Sequence, residues 1–177
     1  TLNLCLTTGG LGTNKPEILE ILRQLLPELM KKDSRFKLLI YCGTQEDLYT
    51  DCLFLARLHE VPVSPLSSKR GALRVIYHPQ LVDANEHLAY DAVASGSFLL
   101  TLKEWGEWET VIRERFENDG IARPVMTDQF VPQLESLMAE QHKTASWVER
   151  AMRTAQKLPS STVSGTSAII KAYRELT

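Results

Sequence analysis

Two short runs of this chain carry residue types suited to holding a charged ligand. The first is Thr7-Thr8-Gly9-Gly10-Leu11-Gly12-Thr13-Asn14-Lys15. Gly9, Gly10 and Gly12 lack the Cβ that would keep a ligand off the backbone, so N–H groups there and at Thr13 can approach phosphate oxygens, with Lys15 supplying positive charge. The same glycines would also serve a plain strand-to-helix turn. The second run is Lys103-Glu104-Trp105-Gly106-Glu107-Trp108-Glu109, a charged Gly turn at the start of a helix, where the first backbone N–H groups have no intrahelical partner. Carboxylates at Glu107 and Glu109 also suit the helix dipole. His78, directly before Pro79, follows a third strand and is expected at the same sheet edge as the glycine loop. His87 and Asp91 stand four apart, but no third ligand accompanies them, so no metal site is expected.

The elements that position these groups alternate along the chain. Leu2 to Leu6 reads as a strand. A helix follows, capped by Asn14, with Pro16 in its first turn, Glu17 three past the cap, and one face formed by Ile18, Leu22, Leu25 and Leu29. Pro27 is expected to kink or end it. Phe36 to Tyr41 is a second strand, Asp47 to His59 a second helix burying Leu48, Cys52 and Leu55, and Leu73 to Tyr77 a third strand. Asp83 and Glu86 suit the cap of a helix reaching about Ala94. Phe98 to Leu100 is a short apolar run, the mark of a strand covered on both faces. Trp108, Val111, Ile112 and Phe116 recur at helical spacing until Asn118-Asp119-Gly120 stops the helix. A further strand precedes a helix starting at Thr127 or Asp128 with Leu134, Leu137 and Met138. Another helix is expected from about Thr144 to Leu158. The pattern predicts one α/β, Rossmann-like, three-layer domain over 1–158 with a mostly parallel sheet, a PSSTVSG linker over 159–165, and a terminal helix over 166–177 bearing Ile169, Ala172, Tyr173 and Leu176.

Composition narrows the function classes. With 177 residues, 44% of them hydrophobic and 24% charged, the chain can bury one substantial core. A net charge of -2 and only short basic pairs, Lys31/Lys32 and Lys69/Arg70, give no polyanion groove, so nucleic acid is not an expected partner. Cys5, Cys42 and Cys52 are odd in number, lack metal-ligand spacing and lie in or beside apolar segments, which reads as buried, reduced thiols in the cytoplasm. No apolar run approaches the ~18 residues that span a bilayer. The spacing GGLGTN is not that of a dinucleotide-binding loop, and the second strand ends in Tyr41-Cys42-Gly43 without an acidic residue, which disfavours NAD. No cofactor is expected.

In order along the chain, TTGGLGTNKPEILEIL, KLLIYCGT, GSFLLTLKEWGEWE and GIARPVMTD resemble the C-terminal, donor-binding half of a GT-B glycosyltransferase of the retaining, family-4 type. Lys15 matches the family's lysine, while Gly10 and Leu11 stand where its arginine would be. Glu104, Trp105 and Gly106 match Glu-x-Phe-Gly in type, with Trp for Phe and no intervening residue. Gly120, Pro124 and Val125 resemble its Gly-x-Pro-Val element. The family's second glutamate falls at Val111, so Glu109 or Glu107 fills that role in a shifted register. The Gly-Gly loop that follows Pro-Val in the family is absent, because Asp128 leads into a helix.

The resemblance implies a nucleotide-diphosphate sugar held between the GGLGTN loop and the KEWGEWE turn. Lys15 and the helix N-termini would stabilise the diphosphate leaving group without a metal. Glu104 would face a sugar hydroxyl, and Glu109 or Glu107 the ribose hydroxyls. Lys103, Trp105, Gly106 and His78 would complete the donor contacts. The chain begins at Thr1 on strand residues, so an N-terminal acceptor half is expected before it, without which the domain would not turn over. Any peripheral membrane association would come through that other part. The competing expectation is a non-catalytic interaction or scaffold domain with a degenerate GT-B-like fold.

Overall fold

The computed structural model describes residues 1–8, 12–65, 71–78, 92, 97–104, 106–144, 149 and 153. Most of the helix expected over 83–94 and of the helix from Thr144 to Leu158, with all of the linker and the terminal helix, lies outside the described residues. The chain divides into two compact units, one of residues 1–85 and 125–135, the other of 86–124 and 136–177.

The first unit holds a parallel sheet of three strands in the order β1-β2-β3, namely β1 Leu2–Thr7, β2 Phe36–Tyr41 and β3 Leu73–Ile76. The register pairs Leu4 with Leu38 and Ile40 with Val75. Helices α1, Lys15–Leu29, and α2, Glu46–Leu58, connect the strands and pack on each other. Ile18, Ile21, Leu22, Leu25 and Leu26 on α1 are fully buried, as are Leu48, Cys52 and Ala56 on α2. On β2 the buried Phe36, Leu38 and Ile40 alternate with half-buried Lys37, Leu39 and Tyr41, and on β1 Asn3 and Cys5 are exposed. On β2 one face of the sheet is therefore fully buried and the other is not, and Cys5 on β1 is exposed where a buried thiol was expected. The alternation of Asn3, Cys5 and Lys37 with leucines and isoleucine is the period-two pattern that such a sheet requires.

Asn14 stands at the N-cap of α1 but makes no side-chain cap hydrogen bond. The helix passes through Pro27 and ends two residues later, at Leu29. Pro27 is exposed while Leu25, Leu26 and Leu29 are buried, so packing of the last turn outweighs the one lost backbone bond. At the other end of α2, Glu60 takes φ 57, in the left-handed region. Its N–H donates to the Arg57 carbonyl at 3.1 Å and the Val61 N–H donates to the Ala56 carbonyl at 2.9 Å, the paired bonds of a Schellman ending. Residues Thr127–Gln129 form a 3-10 turn that leads into α4, Phe130–Thr144. Gln24 of α1 ties this turn down: its amide N–H donates to the Thr127 carbonyl at 2.6 Å and its amide oxygen accepts the Phe130 N–H at 2.9 Å. Arg35 pairs with Glu135.

The second unit contains two parallel strands, β4 Leu99–Thr101 and β5 Ala122–Pro124, joined through α3, Glu107–Asn118. Its core comprises Phe116, Ile121 and Ala122, with Leu99 and Ile112 packed against them. Phe98, Leu99 and Leu100 are half-buried, where a strand covered on both faces was expected. Val111 is 69% exposed, so it does not share the apolar face of Ile112 and Phe116. Asn118-Asp119-Gly120 stops the helix as its residue types predict: Gly120 has φ 70, its N–H reaches the Glu117 carbonyl at 2.9 Å and the Ile121 N–H reaches Phe116 at 3.1 Å.

The chain is thus α/β, with parallel sheets of three and two strands in the described residues. Among those residues no helix is long and apolar enough to cross a membrane.

Candidate functional site

In the first unit, backbone hydrogen bonds draw three strand ends to one edge. The Thr8 N–H donates to the Tyr41 carbonyl at 3.3 Å, the Cys42 N–H to Ile76 at 2.8 Å, and the His78 N–H to Gly43 at 2.9 Å. This is the carboxyl edge of a parallel sheet, where the crevices of α/β folds take ligands. Thr8 is buried and His78 is exposed. Gly43, at φ 53, makes the sharp turn between β2 and α2. Tyr49 of α2 stacks on Tyr77 beside His78, with ring centroids 5.7 Å apart.

Gly12 opens α1. It takes φ 62, and its carbonyl accepts the Lys15 N–H at 3.3 Å. Its left-handed conformation favours glycine, and a Cβ at this position would lie 2.8 Å from the Gln45 amide oxygen, which would have to shift. Gln45, in the loop after β2, therefore covers Gly12. Thr13 is exposed beside it. Gly9 and Gly10 lie outside the described residues.

Lys15 is engaged by α2. Its Nζ lies 2.7 Å from Asp47 and 2.8 Å from Asp51. The hydrogen bonds to these carboxylates, Asp47 first, hold the ammonium above its usual range. Asp47 is held below the usual carboxylate range, first by Lys15 and then by the Leu48 N–H. The lysine expected to face phosphate thus joins two helices, and the trio carries a net charge of about -1.

The second candidate run lies in the other unit and is described by itself. Gly106 is the N-cap of α3 in an extended conformation, and its carbonyl accepts the Glu109 N–H at 3.1 Å. Lys103 and Glu107 are exposed and Glu109 is half-buried. Trp105 lies outside the described residues. Glu104 Oε1 accepts from Thr110 at 3.2 Å and from Arg113 at 3.2 Å. Its own backbone N–H, followed by the charge of Arg113, holds the carboxyl below its usual range. Arg113 also forks onto Glu117 at 3.0 and 2.9 Å. Thr101 of β4 donates toward Glu117 at 3.4 Å and the Arg123 carbonyl at 3.3 Å.

Sequence reasoning placed Gly12, Thr13, His78 and, at the start of α1, Lys15 at one sheet edge, and missed Gln45, Asp47, Asp51 and Arg113. Asp47 and Asp51 stand one helical turn apart, a spacing visible in the sequence, as is that of Arg113 and Glu117. Their partners 32 and nine residues away are not. Among the described residues, no group of three or more His, Cys, Asp or Glu side chains could hold a metal ion. Comparison with known proteins returns no matching family model, no matching curated protein and no matching solved structure.

Proposed function

We propose that this chain is the donor-binding part of a glycosyltransferase of GT-B type, taking the diphosphate of a nucleotide sugar at the carboxyl edge of the β1-β2-β3 sheet. Joined to an acceptor-binding half it would transfer the sugar; alone it would bind without turnover. The observation that carries the reading is the convergence of the Gly12, Gly43 and His78 loops on one edge, through the hydrogen bonds of Thr8, Cys42 and His78. The N-terminal end of the α1 dipole adds a partial positive charge there. Titration calorimetry with UDP, GDP and ADP sugars tests it, and no heat with any of them at millimolar ligand sinks the reading.

The two carboxylates on Lys15 sharpen the test. If Lys15 contacts the diphosphate, it must be drawn from Asp47 and Asp51, and neutralising those partners should favour that exchange. Asp47→Asn with Asp51→Asn is expected to tighten donor binding several-fold, an effect of the ~1 kcal/mol scale of exposed ion pairs. Unchanged affinity would leave Lys15 as a brace between helices. A Glu104→Ala variant that binds as tightly as the parent would remove Glu104 from the donor contacts.

The second reading is a non-catalytic interaction or scaffold domain. It is favoured by the internal pairing of both charged candidates, Lys15 with Asp47 and Asp51, and Glu104 with Arg113. The same calorimetry separates the two.

A further inference from the structure

Among the described residues β1 has a strand on one side only, since the sheet order is β1-β2-β3. The Leu2 N–H donates to the Arg35 carbonyl at 2.7 Å and the Thr8 N–H to the Tyr41 carbonyl at 3.3 Å, so Leu2, Leu4, Leu6 and Thr8 turn their backbone groups toward β2. Alternate residues of a strand bond to opposite sides, and Asn3, Cys5 and Thr7 therefore direct their N–H and C=O groups outward along the open edge. The leucines of β1 are left incompletely covered as well. Leu4 and Leu6 pair in register with Leu38 and Ile40, yet they are half-buried where Leu38 and Ile40 are fully buried. Open edges are commonly guarded by lysine, proline or a bulge. β1, Leu-Asn-Leu-Cys-Leu-Thr, has no charge and no proline, and its register with β2 runs residue for residue. A row of outward N–H and C=O groups is completed by another strand, and β1 is complementary to itself. We propose that two copies of this chain pair through β1, antiparallel about a two-fold axis at Cys5, to form one sheet in the order β3-β2-β1-β1-β2-β3.

In that register Cys5 faces Cys5 of the second copy, Asn3 faces Thr7, and Leu4 faces Leu6. Polar side chains meet on one face of the sheet, leucines meet on the other, and no like charges are opposed. Asn3, Cys5 and Thr7 fall at the hydrogen-bonded pairs of the antiparallel ladder, so every outward group of β1 finds a partner. A shift by one residue would flip one copy and set leucines against Asn3 and Cys5. A shift by two would leave Asn3 or Thr7 without a partner in β1. The two-fold brings the Cys5 Cα atoms to about 5.5 Å, the spacing of a hydrogen-bonded pair, within the ~4.4–6.8 Å that a disulfide spans. Cys42 and Cys52 are buried and Cys5 is exposed, so Cys5 reports on the seam. The pairing uses the side of β1 and not the carboxyl edge of the sheet, and it does not rest on the donor-binding reading.

Analytical ultracentrifugation of the reduced, full chain over a concentration series tests it. A mass rising to twice that of the chain is expected, and a single-chain mass up to millimolar concentration would overturn the proposal. Copper phenanthroline should join Cys5 to Cys5, giving a disulfide between two copies of tryptic peptide 1–23. Moving the thiol by Asn3→Cys in a Cys5→Ser chain keeps it at an exposed position but sets it opposite Thr7 of the second copy, out of disulfide reach. Cross-linking should then slow about tenfold or more; equal rates at the two positions would mean random collision and overturn the register. Cys5→Lys sets two ammonium groups face to face and should raise the dimer dissociation constant about tenfold or more. Its circular dichroism should match the parent's, because the side chain at this position is exposed. A Cys5→Lys chain with the parent's circular dichroism and the parent's dimer affinity would show that the copies join elsewhere, such as through the exposed Phe54 and Leu58 of α2, and would overturn the β1 seam.

Discussion

Lys15 shows how one side chain can be fitted for ligand chemistry and yet be held by structure. Its pairing with Asp47 and Asp51 links α1 to α2 through exposed groups, so its contribution depends on pH and salt. Asp47 is held below its ordinary value of 3.8. The stability it adds is complete above that value and is lost as pH falls through the lower folded value. Lys15 is held above its ordinary 10.5, so its share is complete below 10.5 and is lost as pH rises through the higher folded value. A Lys15→Met variant should therefore melt below the parent by a constant margin between 3.8 and 10.5, and the margin should shrink on both sides. Molar salt should shrink it throughout. Thermal melts across pH read this directly, and a margin that grows in acid would contradict the pairing.

At the scale of the element, helix endings offer the sharper test. Gly120 and Glu60 occupy the same position in two Schellman endings, with φ 70 and φ 57. Glycine adopts that conformation freely, whereas a residue with a Cβ is strained there by about 1–2 kcal/mol. Glu60 is exposed, so Glu60→Gly should stabilise the chain by about 1 kcal/mol once glycine's greater unfolded-state freedom is subtracted. A rise in the denaturant midpoint with unchanged slope is expected; a fall would mean that the Glu60 side chain contributes more than its backbone costs. The two endings also show what sequence can convey. Asn118-Asp119-Gly120 announced its stop through a residue type tied to one backbone conformation. The ending at His59-Glu60-Val61 was close to its expected place because the apolar period of Leu48, Cys52 and Leu55 runs out there, yet nothing in Glu60 signals a left-handed turn. Legibility follows range: β2 and the starts of α1 and α2 lie close to where local spacing predicts them. The Gln45 cover over Gly12 and the Glu104–Arg113 pair depend on contacts between segments, which periodicity does not encode. The candidate edge was legible as loops and glycines, while the carboxylates that occupy its lysine were not.

At the scale of the molecule, each compact unit has its own core. In one, Ile18, Leu22, Leu25 and Leu26 of α1 accompany Phe36, Leu38 and Ile40 of β2. In the other, Phe116, Ile121 and Ala122 are joined by Leu99 and Ile112. A cavity cut into one core should therefore weaken the amide protection of its own strands first. Leu22→Ala, at a fully buried position, should cost about 2–5 kcal/mol, and Phe116→Ala about 3–5 kcal/mol. Hydrogen exchange followed by mass spectrometry locates the loss. Leu22→Ala is expected to speed exchange in β1, β2 and β3, and Phe116→Ala in β4, α3 and β5. Equal acceleration of both sets by either substitution would show that the two cores unfold as one cooperative unit. Separate responses would mean that the edge bearing Gly12 and His78 can keep its geometry while the Glu104 network opens, so the Glu104→Ala calorimetry would need to be read beside exchange data for the same variant.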